Sequence, residues 1–239
     1  MMRKNQRGNA LWFILLAVFL LGGLTVLLNR GATNTEETGD QEKISIQLSE
    51  MIRYTAGIKT AVDRMLSQGV SENDISFANT LYKRCDGSLI RPAGHNPNCT
   101  TNSCEIFSPG GGGMKPVAIN PLILADKSGC AGMTWPAGAA AINMRQVVGV
   151  GSAENDLMLE IYGLTKEACL QANRMLDVEN PSGDPPNDEE NSTDVFDGDY
   201  TTFVETIGDD EPLLEGKKAF CLRRPSEDDY HFFTVLIAR

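Results

Sequence analysis

Six cysteines, two histidines and a cluster of carboxylates are the residues of this chain whose types and spacing could do chemistry. Cys85, Cys99, Cys104, Cys130, Cys169 and Cys221 contain no C-x-x-C pair, and His95 and His231 are the only histidines. A tetrahedral zinc site therefore lacks its usual ligand spacing. All six cysteines follow an apolar N-terminal run, and an even count beyond such a run reads first as disulfides in an oxidising compartment. Six cysteines allow 15 pairings, and spacing does not choose among them. The carboxylates are closest together at Asp194-Val195-Phe196-Asp197-Gly198-Asp199. Calcium takes about six to eight oxygen ligands, which acidic loops supply. The frame is not that of an EF-hand, so Asp194, Asp197 and Asp199 read either as a calcium loop or as a solvated acidic turn. No other cofactor is implied.

Frames for catalysis are missing. Gly149-x-Gly151 lacks the third glycine and the helix opening of a dinucleotide fingerprint. Gly151-Ser152-Ala153 is not the G-x-S-x-G of a nucleophile elbow. Gly110 to Gly113 is not followed by G-K-[ST] and reads as a flexible loop. His231 falls near the end of an extended run with no catalytic partner visible. The chain reads as a non-enzyme, with no buried acid–base or nucleophile site expected.

The elements that position these residues begin at the N-terminus. Arg3, Lys4 and Arg7 precede Gly8-Asn9, and an uncharged run follows from Ala10 to Leu28. As a helix rising about 1.5 Å per residue, that run is long enough for a hydrocarbon core of roughly 30 Å. The basic residues before it predict a cytoplasmic N-terminus with the remainder exported. Of the 21 basic and 32 acidic residues, 18 basic and all the acidic ones lie beyond the run, giving the exported part a net charge of −14. Such a surface disfavours nucleic acid and anionic lipid.

Residues 31–41 are polar and read as a linker or a kinked helical joint. From Glu42 to Gln68, Ile44, Leu48, Met51, Ile52, Ile58, Val62, Met65 and Leu66 recur at the spacing of one helix face, and Gly69 stands where a C-terminal cap belongs. Lys83 to Met114 holds three prolines and three of the cysteines, so disulfides are its expected staples. Gln146–Val150 and Leu157–Tyr162 read as strands, and Thr165 caps a helix from Lys166 to Leu176. From Leu176 to Gly216 there is no Lys or Arg. Lys218–Arg224 and Tyr230–Ala238 read as a closing antiparallel hairpin, and the second run is apolar on both faces, as a central strand would be.

A short basic leader ending in Gly8 directly before an apolar helix resembles the class III signal of type IV pilins and pseudopilins. The resemblance implies cleavage by a prepilin peptidase between Gly8 and Asn9. Phe13 stands at the fifth mature position, where most pilins carry Glu, which points to a minor subunit. The sequence Gly-Leu-Thr-Lys-Glu-Ala-Cys-Leu at 163–170 looks like the membrane-distal half of class IVb pilins. There a helix cysteine is tied to one near the C-terminal strands, so the resemblance implies a Cys169–Cys221 bond. It further implies other pilin-like subunits and the inner membrane as partners, and a single-pass location with the C-terminal domain periplasmic or in an extracellular filament.

The expectation is thus an α+β, pilin-like chain. A leader at 1–8 precedes a transmembrane helix at 9–30 and a linker at 31–41. A globular domain at 42–239 lays an amphipathic helix on an antiparallel β-sheet with long disulfide-tied loops. The implied function is a minor pilin or pseudopilin-like structural subunit of a bacterial envelope filament or secretion system. The alternative is an uncleaved single-pass inner-membrane protein presenting a periplasmic binding domain.

Overall fold

A computed structural model describes residues 9–125, 136–189, 195–201, 206–226 and 228–239. Within the first helix, side chains are described at 12–22 and from 39 onward. The chain divides into two compact units, Met1–Lys43 and Ile44–Arg239.

Helix α1 runs from Asn9 to Ser67 (59 residues) without a break across residues 31–41, where the composition suggested a linker. That stretch contains no proline, and an isolated glycine costs a helix only about 1 kcal/mol. The transmembrane expectation is corrected: among the described residues, no helix is long and apolar enough to cross a membrane. Among the described side chains at 12–22, Trp12, Phe13, Ile14, Leu15, Leu16, Val18, Phe19, Leu20 and Leu21 are exposed. A single-pass inner-membrane location is not supported.

In the second unit, Leu48, Met51, Ile58, Val62 and Met65 are buried, with Ile44, Ile52 and Leu66 partly so. This is the face expected from the helical period. Gly69 follows with φ +90°, a conformation glycine adopts without a Cβ penalty.

The sheet has five strands in the order β3-β1-β2-β5-β4. They are β1 (Ala140–Val147), β2 (Asp156–Leu164), β3 (Thr206–Ile207), β4 (Ala219–Arg224) and β5 (Asp229–Ile237). Four of them pair antiparallel, but β3 runs parallel to β1, so the sheet is mixed. β5 lies between β2 and β4, which is why both its faces are apolar. β1 starts earlier than its Val147-Val148 signal suggested. Its opening residues Ala140 and Ala141 are small but pair with Ile161 and Glu160.

Successive side chains of a strand point to opposite faces. One face joins the buried side of α1 through Ile142, Met144, Leu159, Ile161, Phe232 and Leu236. Helix α2 (Lys166–Met175) adds Ala168, Cys169 and Ala172 to this core. Its N-terminus is closed by Thr165, whose side chain accepts from the Ala168 amide. The other face carries Val147, Met158, Phe220, Leu222, Phe233 and Val235, covered by Val178, Ile207 and Leu214 of the acidic segment.

The glycine run at 110–113 is not slack. A Cβ on Gly111 would meet the Glu105 carbonyl, and one on Gly112 would meet the backbone of Ile106. Gly112 also accepts a hydrogen bond from the Arg64 guanidinium of α1. Only glycine lets these turns pack so closely, so the flexible-loop reading fails. We expect Gly112→Ala to cost about 1–3 kcal/mol by overpacking, read as a lower urea midpoint at unchanged slope. A shift below a few tenths of a kcal/mol would mean that the turn relaxes freely.

Candidate functional site

The structure pairs Cys169 of α2 with Cys221 of β4, with their Cα atoms 5.4 Å apart, and pairs Cys99 with Cys104 at 5.6 Å. Cys85 is disulfide-bonded too. Cys130 lies outside the described residues. Among the described residues no cysteine is free.

The proposed calcium residues are only partly in view. Asp194 lies outside the described residues. Asp199 accepts from the amide and the hydroxyl of Thr201, and Asp197 accepts from the Asp199 amide at 3.3 Å. These bonds shape the turn itself. The Asn73 side-chain amide donates to the Gly198 carbonyl at 2.7 Å, which docks the turn on the 3-10 turn that follows α1. Among the described residues, no group of three or more His, Cys, Asp or Glu is placed to hold a metal ion. Of the processing pair, Gly8 lies outside the described residues and Asn9 is the first residue of α1.

The largest constellation of polar groups is one that sequence reading did not assemble. On the sheet face away from α1, pleating gathers Asn143 and Arg145 of β1, Glu160 and Tyr162 of β2, Arg224 of β4, and Asp229 and His231 of β5. All are buried, and Glu160 and His231 are 0% exposed. The His231 ring lies between two carboxylates: Nδ1 is 2.7 Å from Glu160 Oε1, and Nε2 is 3.5 Å from Asp229 Oδ2. The second Glu160 oxygen accepts from the Tyr162 hydroxyl at 2.9 Å and from the Asn143 amide. The Arg145 guanidinium stands 4.0 Å from the same oxygen. Tyr162 meets His231 edge-on, with ring centroids 4.8 Å apart. The β2–β5 pairing is irregular between Ile161 and Leu164, beside this array, and Gly163 there has φ +70°.

The electrostatics follow from burial opposed by partners. Burial alone would lower the His231 pKa, but the hydrogen bonds and charges of Asp229 and Glu160 outweigh it and raise the value. Burial alone would raise that of Glu160. The His231 hydrogen bond and charge, with the charges of Arg145 and Arg224, outweigh it and bring the value down. Burial and the Glu160 charge push Tyr162 well up, so it stays a neutral donor. The arrangement is a buried imidazole ring held between two carboxylates that favour its protonated form, with two arginines beside it. The groups are too enclosed to turn over a substrate. What they can do is respond to protons.

A second polar knot lies at Arg91, 2% exposed. Its guanidinium donates to the Ile142 carbonyl of β1 and faces His95 Nε2 at 3.2 Å. Burial draws the Arg91 pKa down to about 9. Burial and the neighbouring Arg91 charge draw His95 down to about 4, so His95 is neutral at pH 7 and accepts from Arg91.

His231, read from sequence as having no catalytic partner in view, has structural partners in the fold. Its main partner, Glu160, is 71 residues away in sequence. One signal was available: Glu160 and His231 are polar residues inside strands that are otherwise apolar on both faces. A buried charge there must be paired. No family model matches this chain, nor does any curated protein or solved structure.

Proposed function

We propose that the chain is a structural subunit of the pilin or pseudopilin type, a minor component of a bacterial envelope filament or secretion machine. The observation that carries this reading is the form of α1. Its C-terminal half supplies one wall of the folded core. Its N-terminal residues Trp12, Phe13, Ile14, Leu15, Leu16, Val18, Phe19, Leu20 and Leu21 are all exposed in the isolated chain. A contiguous exposed apolar surface marks an association site. In this reading, helices of other pilin-like subunits cover it, and the folded domain faces outward. The disulfide joining α2 to β4 and the order of helix, loop and sheet support the same reading. It requires no catalysis.

Two measurements test it. Mass spectrometry of protein purified from native cells should find Asn9 at the mature N-terminus, after cleavage by a prepilin peptidase. An intact Met1 or Met2 would refute the processing. A photo-crosslinking residue at position 13 should trap pilin-like subunits in cells. Crosslinks only to unrelated proteins would sink the assembly reading.

A further inference from the structure

Cys221 lies on the edge strand β4. In an antiparallel pair every second residue exchanges backbone bonds with the neighbouring strand, and the residues between turn theirs away. The Val235 amide donates to the Lys218 carbonyl. With Ala219 opposite Thr234 and Cys221 opposite Phe232, the residues of β4 that bond to β5 are then Phe220, Leu222 and Arg224. The amide and carbonyl of Cys221 face the other way, where, among the described residues, the sheet has no further strand.

Both groups are met by one side chain. Asn173 of α2 accepts from the Cys221 amide through Oδ1 and donates to the Cys221 carbonyl through Nδ2, each at 2.8 Å. The carboxamide thus supplies the donor and the acceptor that a residue of an adjoining strand would supply. It is oriented from behind. Nδ2 also donates to Asn180 Oδ1 at 2.9 Å, and Asn180 Nδ2 donates to the Leu170 carbonyl at 3.1 Å. Asn173 and Cys221 are both 0% exposed, so either partner left alone would be buried and unsatisfied. Cys169 lies four residues before Asn173, one turn along the same face of α2. The helix therefore meets Cys221 twice, at its backbone through Asn173 and at its sulfur through Cys169.

We propose that Asn173 is the positioning residue for this disulfide: its carboxamide docks α2 on the backbone of Cys221 in the reduced chain, and so selects Cys169 as the partner of Cys221. The two cysteines are 52 residues apart in sequence, so chain proximity does little to join them. Cys99 and Cys104, separated by 5, need no such device. With the carboxamide docked, the Cα atoms of Cys169 and Cys221 stand 5.4 Å apart, inside the roughly 4.4–6.8 Å that a disulfide spans. Oxidation then requires only a small-molecule disulfide such as oxidised glutathione. One cysteine thiolate attacks it, and a glutathione thiolate leaves. The other cysteine thiolate attacks the protein sulfur of that mixed disulfide; the Cys169–Cys221 bond forms and the second glutathione leaves as its thiolate. Two protein thiols are oxidised, and one glutathione disulfide is reduced to two thiols.

The test is oxidative refolding of the full-length chain, reduced in urea and returned to a buffer of reduced and oxidised glutathione, with peptide mapping of the quenched products. Asn173→Ala should lower the equilibrium constant for the Cys169–Cys221 bond against glutathione about tenfold, the equivalent of about one hydrogen bond. Bonds from Cys169 or Cys221 to other cysteines should rise, while the Cys99–Cys104 constant stays as it was. Asn180→Ala, which leaves Asn173 in place but unoriented, should shift the constant in the same direction by less. Val62, fully buried on α1, provides the control. Val62→Ala should lower the urea midpoint and leave the Cys169–Cys221 constant unchanged. An unchanged constant in Asn173→Ala would overturn the proposal, as would an equal fall at Cys99–Cys104 or in Val62→Ala. Should Asn173→Ala not fold, Asn180→Ala decides, and an unchanged constant there overturns it.

Discussion

Glu160→Ala should destabilise the folded protein by about 3–5 kcal/mol, the usual loss when one partner of a buried ion pair is removed. Glu160 is the hub of the outer-face array, accepting from His231, Tyr162 and Asn143 with Arg145 nearby. Its removal leaves the buried His231 ring with one carboxylate instead of two, and two buried arginines with less compensation. The size of the effect comes from that lost compensation rather than from the intrinsic strength of the pair. A triple replacement of Glu160, His231 and Arg145 by apolar residues of similar volume should therefore cost much less than the single change. Urea denaturation of both variants checks this. A Glu160→Ala loss under about 1 kcal/mol would mean that water enters and relaxes the site. The same variant should also bring the remaining His231 titration down, since Glu160 is one of the two groups holding it up.

Removing the Cys169–Cys221 bond with a double alanine substitution should cost about 4 kcal/mol in the loop-closure model for a separation of 52 residues. The same change at Cys99 and Cys104 closes a separation of 5. The model then gives only about 2 kcal/mol. Both numbers are large against a domain stability of about 5–15 kcal/mol. The contrast between them is the sharper test, because mutational damage to packing affects both. Both cysteines of the long bridge are fully buried, so packing loss adds to its cost. If the short bridge proved the more important, the bond would be acting on the native state rather than on the unfolded chain.

Much of the second unit was legible because its side chains obey the geometry of their own element. The apolar positions from Ile44 to Leu66 repeat at helical spacing, and they are the residues that contact the sheet. Thr165 before Lys166 announced α2 through a local hydrogen bond. The run from Tyr230 to Ile237, apolar on both faces, announced a strand with neighbours on either side. What stayed hidden depended on distant partners. Glu160 and His231 look like ordinary polar residues until β2 and β5 pair. β3 is two residues long within an acidic stretch and carries no pattern of its own. Polar composition at 31–41 suggested a linker or a kinked helical joint; α1 continues through it, and no residue there stops a helix. The glycines at 111 and 112 were read for flexibility, when backbone proximity was the reason for them.

The place of β5 in the sheet also constrains how the chain can fold. β5 follows every other strand in chain order, yet it alone joins β4 to the rest. Until β5 pairs, β4 is held only by Asn173 of α2 and by the backbone bonds of Arg223 to Pro186 and Asp188, and the β1–β2 hairpin keeps an open edge. The decisive pairing of β5 with β2 is therefore long-range in sequence and correspondingly slow to form.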